Sequence, residues 1–164
     1  MNRTFSKILV LVVLQLFFIS FFISCDKSPK TDLKWHGFEK AIKLAAKEDK
    51  PIMLDFFADW CGWCYELDKK VFNDPEVKEY LKENFILSRL NADSRFKSIK
   101  YKGQLVSPYD LFMMTGSSSL PTVVFFDSDA NFVHSQPGFH PKEFYFKLLN
   151  DVKDSIDKVK SIQR

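Results

Sequence analysis

The hydrophobic positions of the chain change from helical to strand spacing near residue 50. An apolar side chain recurs every three or four residues from Phe38 to Ala45, which predicts an amphipathic helix that ends before Lys50-Pro51. Residues 52–57 form a nearly continuous apolar run of strand length, interrupted only by Asp55. Such a run is typical of a central strand that is covered on both faces.

Predicted helices and strands continue to alternate along the rest of the chain. Asn73-Asp74-Pro75 supplies a capping residue and a first-turn proline for a further helix. The other predicted elements are a helix over 65–71, strands over 85–90, 123–126 and 132–134, a short helix over 107–115 and a final helix over 141–159. This order predicts an α/β fold with a central mixed sheet of four to five strands and helices on both faces.

The N-terminus has the pattern of a targeting segment. A short basic stretch with Arg3 and Lys7 precedes the apolar residues 8–24. As a helix these 17 residues would span about 25 Å, less than a hydrocarbon core of about 30 Å. We therefore interpret residues 1–24 as a secretory leader.

Ser24-Cys25 at the end of this segment resembles the lipobox of bacterial lipoproteins, although Phe22 replaces the usual aliphatic residue. The resemblance implies removal of residues 1–24 and lipidation of Cys25, with an uncleaved membrane anchor as the alternative. Residues 25–32 are polar, contain a proline and predict a tether to a domain over 33–164. Both alternatives place that domain outside the cytoplasm on the periplasmic side, attached to a membrane.

Length and charge narrow the class of protein. The 164 residues, 46% of them hydrophobic, suffice for one domain, which we expect to be monomeric. The formal net charge is only +3, so nothing indicates a nucleic-acid partner. Residues 93–103 are polar and basic, which predicts a solvated loop or insertion, with a substrate-steering patch as the alternative.

Two of the three cysteines lie in the run Asp59-Trp60-Cys61-Gly62-Trp63-Cys64. The apolar strand before them and the helical pattern after them place Cys61 at a helix N-terminus, where free N–H groups and the helix dipole stabilise a thiolate. A thiolate attacks disulfides, so we predict Cys61, expected to be the more exposed of the pair, as nucleophile and Cys64 as the resolving thiol.

Half of a zinc site and an inert disulfide are the alternatives for this pair. Zinc needs two more ligands, and His36, His134 and His140 are scattered without ligand spacing. We therefore predict a redox pair that needs no metal and no cofactor.

Four features together resemble the thioredoxin superfamily over residues 33–159. They are the Trp60–Cys64 motif after a strand, Asp55 six residues before Cys61, Leu120-Pro121-Thr122 before a strand, and Gly138 after the hairpin. The hairpin entry at residues 125–127 and the extended stretch before residue 107 are similar to periplasmic relatives of the C-terminal domain of the bacterial transmembrane disulfide reductase. This narrower resemblance implies reduction of disulfides outside the cytoplasm.

The resemblance also implies roles for single residues. Asp55 corresponds to the buried acid of thioredoxins and would accept the proton of Cys64, although on a half-exposed strand it could face water. Pro121 corresponds to the family's cis-proline, which would turn Leu120 toward the cysteines and a substrate strand. An ordinary strand-entry proline is the alternative. Arg89 lies where thioredoxins often have a lysine near the buried acid.

Trp60 and Trp63 flank the cysteines, and exposed aromatic side chains there would form a docking surface for substrates. Packing in the core is the alternative for both. Trp63 replaces the proline of thioredoxins, which leaves the reduction potential open.

The function predicted from these residues is a membrane-tethered thiol:disulfide oxidoreductase that reduces client proteins and is recharged by a membrane electron donor. An oxidase or isomerase would use the same residues at another potential. A copper(I) chaperone could bind its ion through the same two thiolates. A lipoprotein that uses the fold only for binding is a third alternative.

Overall fold

A computed structural model describes residues 32–163 of the chain. The predicted leader, the lipidation at Cys25 and the tether up to residue 31 lie outside the described residues and stay predictions. The strands are β1 Ile52–Phe57, β2 Ile86–Asn91, β3 Ile99–Tyr101, β4 Gln104–Val106, β5 Thr122–Phe126 and β6 Phe132–Pro137. The helices are α1 Phe38–Glu48, α2 Gly62–Leu67, α3 Pro75–Asn84, α4 Pro108–Met114 and α5 Lys142–Gln163, and α2 continues into a π-helical segment, Asp68–Phe72.

Four strands form one mixed sheet in the order β2-β1-β5-β6. Strand β1 pairs parallel with β2 and antiparallel with β5, and β6 is antiparallel to β5. The predicted α/β sheet with helices on both faces is confirmed. The apolar run of β1 is explained by its central place, since Leu54 and Met53 lie in different core clusters on the two faces.

The two cores hold the helices against opposite faces of the sheet. One core packs α1, α4 and β3 against the sheet, and the other packs α2, α3 and α5. Large side chains such as Phe38 and Tyr145 are fully buried there. Each buried side chain of this size contributes about 1.5–3 kcal/mol to folding.

Local capping sets the helix starts that the sequence predicts. The Asp74 carboxylate accepts the N–H groups of Glu76 and Val77 at the start of α3, with Pro75 in its first turn. Helix α4 begins with a capping box in which Ser107 and Asp110 bond reciprocally. Helix α5 extends beyond the predicted end at residue 159, because polar contacts such as Lys160 Nζ to Asp49 Oδ1 at 2.6 Å support its last turns.

The basic stretch 93–103 differs from the predicted loop, because it contains β3 and leads into β4. Ile99 and Tyr101 alternate with the exposed Lys100 and are buried against the α1 side of the sheet. The Tyr101 hydroxyl donates to Ala130 O at 3.2 Å, which fixes the strand to the main sheet's loops. Two buried positions in a run of lysines are too few for the pattern to reveal a strand.

Within residues 32–163, no helix is both long and apolar enough to cross a membrane.

Candidate redox site

The cysteine pair lies where β1 ends and α2 begins. Cys61 is the N-cap of α2, and its own N–H donates to Ala58 O at 3.0 Å. Cys61 and Cys64 form a disulfide with a Cα–Cα distance of 5.3 Å. The Cys61 Sγ also accepts the backbone N–H of Cys64 at 3.1 Å. The sulfur of Cys61 is thus in the position of a helix-capping acceptor, where a thiolate is favoured.

The two cysteines are equally buried, which corrects the expectation that Cys61 is the more exposed. Each residue is 7% exposed in the disulfide. Ala58 is clustered with both, and Leu120 and Phe57 pack against that cluster. The assignment of Cys61 as nucleophile therefore depends on its capping position and not on exposure.

The expected cis peptide bond is present between Leu120 and Pro121. The carbonyl of Pro121 accepts the N–H of Gly138 at 2.7 Å, and Gly138 has a φ of +84°, which favours glycine. Because Leu120 packs against the cysteine cluster, the Leu120-Pro121-Thr122 feature lies beside the cysteine motif.

Both tryptophans of the motif are exposed, which favours the docking interpretation over core packing. Trp60 is 72% exposed and Trp63 is 61% exposed. The Trp60 indole donates to Asp93 Oδ2 at 2.6 Å, and Trp63 lies on the ring of Phe139 with centroids 5.4 Å apart. The two rings are thus held by neighbours while most of each side chain remains open to solvent. No pattern in the sequence indicates the contact between Trp60 and Asp93.

Asp55 is buried, at 2% exposure, and shares one guanidinium with a second acid. Its Oδ2 lies 2.8 Å from Arg89 Nη2, and Arg89 is its register partner on β2. The same guanidinium donates to Asp68 Oδ2 at 3.1 Å and to Asp68 Oδ1 at 2.5 Å. The Arg89 guanidinium also lies over the ring of Trp35, and its Cζ atom is 4.1 Å from the ring centroid. We call Asp55, Arg89 and Asp68 the buried ion triad.

Burial raises the pKa of Asp55 to about 6, against the opposing attraction of Arg89 and with some repulsion from Asp68. Burial also raises the pKa of Asp68. The Oδ1 atom of Asp55 has no hydrogen-bond partner in the described part of the protein. A carboxyl group with a pKa near the working pH and a free oxygen can accept and return a proton.

Sequence reasoning missed Asp68 and gave Arg89 little weight. Asp68 follows Cys64 by four residues, so a helical reading would have placed the two on one face. The parallel register of β1 and β2 sets Asp55 beside Arg89, and that register is not visible before the strands are paired.

We predict that Asp55→Asn stabilises the folded protein at neutral pH. Since the folded pKa of Asp55 lies above its ordinary value of 3.8, wild-type folding stability falls as pH rises from about 4 through about 6. Asparagine carries no such loss, so the free energy of unfolding should be higher by roughly 1–3 kcal/mol at pH 7 and unchanged below pH 4. Denaturant unfolding at pH 7 and below pH 4 measures the free energy of unfolding of both proteins. Asp151→Asn, at an exposed position on α5, is the matched control.

No group of three His, Cys, Asp or Glu side chains is placed to hold a metal ion within residues 32–163. The predicted non-ligand histidines make other contacts: His134 stacks on Phe125 and His140 on Phe144, while His36 bridges to Ser88 through the backbone.

The mixed sheet, the disulfide at the start of α2 and the cis-proline beside it define a thioredoxin fold of the thiol:disulfide oxidoreductase type. A family model of the thioredoxin-like domain matches residues 38–153, and the chain belongs to this family.

Similar proteins carry the same domain. The chain is 32% identical over 93 residues to the thiol:disulfide interchange protein DsbD of Vibrio vulnificus, covering 57% of this chain and 14% of that protein. It spans only about one seventh of the length of such relatives. The oxidised DsbD C-terminal domain of Neisseria meningitidis superposes with a TM-score of 0.52 at 26% identity, over 72% of this chain and 98% of that one. A thioredoxin from Thermus thermophilus superposes with a TM-score of 0.60 at 23% identity, over 74% of this chain and 88% of that one. This likeness shows the fold alone.

Proposed function

We propose that this chain is a membrane-tethered thiol:disulfide oxidoreductase that reduces disulfides of client proteins outside the cytoplasm. The observation that carries the proposal is the capping contact between Cys61 Sγ and the N–H of Cys64, with the disulfide partner one turn away. The predicted leader over residues 1–24, lipidation of Cys25 and the tether over 25–32 support the location. The similarity to DsbD proteins, which are named for thiol:disulfide interchange, supports the chemistry.

The reaction begins from the reduced pair. The Cys61 thiolate attacks one sulfur of a client disulfide, which forms a mixed disulfide and releases the other client sulfur as a thiolate that takes up a proton. The Cys64 thiol then gives its proton to the Asp55 carboxylate and attacks Cys61 Sγ. The second client sulfur leaves as a thiolate, and the Cys61–Cys64 disulfide remains.

Arg89 and Asp68 tune the proton acceptor in this scheme. The guanidinium keeps Asp55 from becoming permanently protonated in its buried position, because its charge favours the carboxylate. Asp68 opposes that effect. Asp55→Asn should therefore slow release of the mixed disulfide, and unchanged turnover kinetics would count against the role of Asp55.

A dithiol donor at the membrane would restore the reduced pair, since the reaction consumes two electrons per client disulfide. Leu120 packs against the cysteine cluster, and the exposed Trp60 and Trp63 flank Cys61 in the sequence. These three side chains and Pro121 would contact the client. No bound cofactor takes part.

Measurement of the Cys61–Cys64 reduction potential against glutathione tests the direction of the reaction. A reductase should lie below about −200 mV, whereas a value near about −120 mV would assign the protein as an oxidase. Reduction of insulin by the dithiol form is the matching activity. Tight copper(I) binding without insulin reduction would instead favour a copper chaperone.

We predict that Trp60→Ala weakens the reaction with protein clients and leaves that with small disulfides unchanged. Loss of an exposed tryptophan from a docking surface costs more than about 1 kcal/mol, so kcat/KM for a protein disulfide should fall about tenfold, mainly through KM. Glutathione disulfide is too small to use that surface. Phe132→Ala, at an exposed aromatic on β6, is the control. An equal loss with both substrates would show that Trp60 acts on the cysteines and not on docking.

A further inference from the structure

The segment from residue 95 to residue 105, which we call the basic hairpin, presents apolar side chains to solvent. Phe96 is fully exposed and Leu105 is 75% exposed. Leu105 is the register partner of Lys100 across β3 and β4, so both project from the outer face of the ribbon, while Ile99 and Tyr101 face the core. Phe96 lies within about 11 Å of Ile99 along the chain. Apolar and cationic side chains are thus combined on one exposed ribbon.

The basic hairpin carries a positive charge that the rest of the protein lacks. It contains Arg95, Lys97, Lys100 and Lys102, and without these four cations the formal net charge of +3 would be −1. Lys102 Nζ bonds a neutral oxygen, Asn131 Oδ1, at 2.6 Å. Four cations and no carboxylate therefore lie within the eleven consecutive residues 95–105.

Three carboxylates near this segment accept hydrogen bonds from backbone N–H groups, a hydroxyl or an indole. The Glu39 carboxylate accepts the backbone N–H of Lys100 at 2.5 Å, and Asp93 accepts the Trp60 indole. Asp110 accepts both the N–H and the hydroxyl of Ser107 in the capping box. None of these three forms a side-chain ion pair with a hairpin lysine among the described contacts. Hydrogen bonds from Ser107 lower the pKa of Asp110, and the nearby charge of Arg95 lowers it further.

We propose that the basic hairpin docks the domain onto an anionic phospholipid surface. Phe96 and Leu105 would enter the headgroup region while the lysines pair with lipid phosphates, which is the combination of apolar and cationic groups that interfacial segments use. The proposal rests on the proposed function in that it uses the membrane tether to keep the domain near the bilayer. The eight residues 25–32 span at most about 29 Å, so a tethered domain stays within reach of the bilayer.

Docking through this hairpin would also orient the redox site. Asn91 and Asp93 lead into the hairpin, and they bind Asp59 and Trp60 of the cysteine loop at 3.1 Å and 2.6 Å. The tyrosine ring of Tyr109 is stacked under the Arg95 guanidinium at 3.5 Å, which anchors the start of the hairpin on α4. A hairpin on the lipid surface would hold the cysteine loop close to the membrane, where an electron donor would reach it.

Site-specific photocrosslinking tests this with the full chain in nanodiscs. The substitution Phe96→p-benzoylphenylalanine should give lipid adducts in phosphatidylglycerol nanodiscs at a yield at least about tenfold above that of the same group at Phe132. The yield should fall about 100-fold when Lys97, Lys100 and Lys102 are replaced by glutamine, because each cation near an anionic surface contributes about fivefold. It should fall likewise in phosphatidylcholine.

Other outcomes would overturn the proposal. Equal adduct yields at positions 96 and 132, or yields indifferent to lipid charge, would show that the hairpin does not dock. Adducts to a protein in native membranes would assign the surface to an acidic protein partner instead. A chain that stays in the nanodisc without lipid adducts at position 96 would refute docking and leave the tether intact, whereas a chain that leaves the nanodisc would refute both. Insulin reduction is measured with the same variants. Variants that still reduce insulin but give no lipid adducts refute membrane docking and leave the proposed redox function standing.

Discussion

Replacing Cys64 with serine is expected to convert a turnover catalyst into a trap for its own clients. Cys61 keeps its capping position at the start of α2 and still attacks a client disulfide. No second thiol of the motif remains to resolve the product, so the mixed disulfide accumulates. Multiple-turnover reduction should fall by about 10³-fold or more, as for other covalent catalysts that lose one member of a reacting pair. Non-reducing gels and mass spectrometry of the trapped complex measure both effects.

Cys61→Ser supplies the opposite half of the experiment. It should form no stable complex with any client, because the remaining thiol of Cys64 has no capping N–H of its own in the described structure. This comparison matters since the two cysteines are equally buried and exposure does not distinguish them. Complexes joined through Cys64 would reverse the assignment of nucleophile and resolving thiol. Cys25→Ser, which leaves the pair intact, should retain full turnover in detergent.

The framework of the fold was predictable because its signals are local. The apolar run of β1, the Asp74-Pro75 start of α3 and the stripe of α5 each lie within one segment and need no knowledge of the rest. The alternation of the elements then restricts the topology to few possibilities. Strand β3 escaped prediction because its two buried residues, Ile99 and Tyr101, are surrounded by lysines that dominate the local pattern, and strand β4 escaped because it has no buried residue.

The site was predictable only in part, because several of its contacts join residues that are far apart in the sequence. The cysteine motif is continuous in sequence, but the buried ion triad joins β1, β2 and the π-helical segment after α2. The π-helical segment, in which Asn73 N bonds back to Asp68 O at 2.9 Å, has no pattern that distinguishes it from an α-helix. The pairing of Trp60 with Asp93 likewise joins residues 33 apart. Such contacts follow from tertiary packing and become visible only when the strands are in register.

Replacing Arg89 with methionine is expected to destabilise the protein more than any other single change near the site. The guanidinium is the cation that Asp55 and Asp68 share, and both carboxylates are buried. Removing the cation leaves two buried acids facing each other without compensation. Breaking a buried ion pair on one side costs about 3–5 kcal/mol, so the free energy of unfolding should fall by that amount at pH 7.

The loss should depend on pH in a direction set by the two acids. Without Arg89 the folded pKa values of Asp55 and Asp68 rise further above their ordinary value, since the attraction that lowers them is gone. Protonation then favours the folded state, so the variant is most stable in acid and loses stability as pH rises from about 4 toward and beyond neutrality. Denaturant unfolding of wild type and variant between pH 4 and pH 8 measures the difference, which should shrink by more than half at the acid end.

Two further variants separate charge from packing. Arg89→Lys keeps a cation but loses the two-pronged contact with Asp68, and it should recover part of the stability with little dependence on pH. Arg89→Met combined with Asp55→Asn removes the repulsion between the acids, so Asp55→Asn should stabilise the Arg89→Met variant at pH 7 by more than it stabilises the wild type. Non-interacting residues would show the same gain in both backgrounds. If Arg89→Met costs as much at pH 4 as at pH 8, the guanidinium stabilises the fold through its packing on Trp35, and the buried ion triad does not control the proton of Asp55.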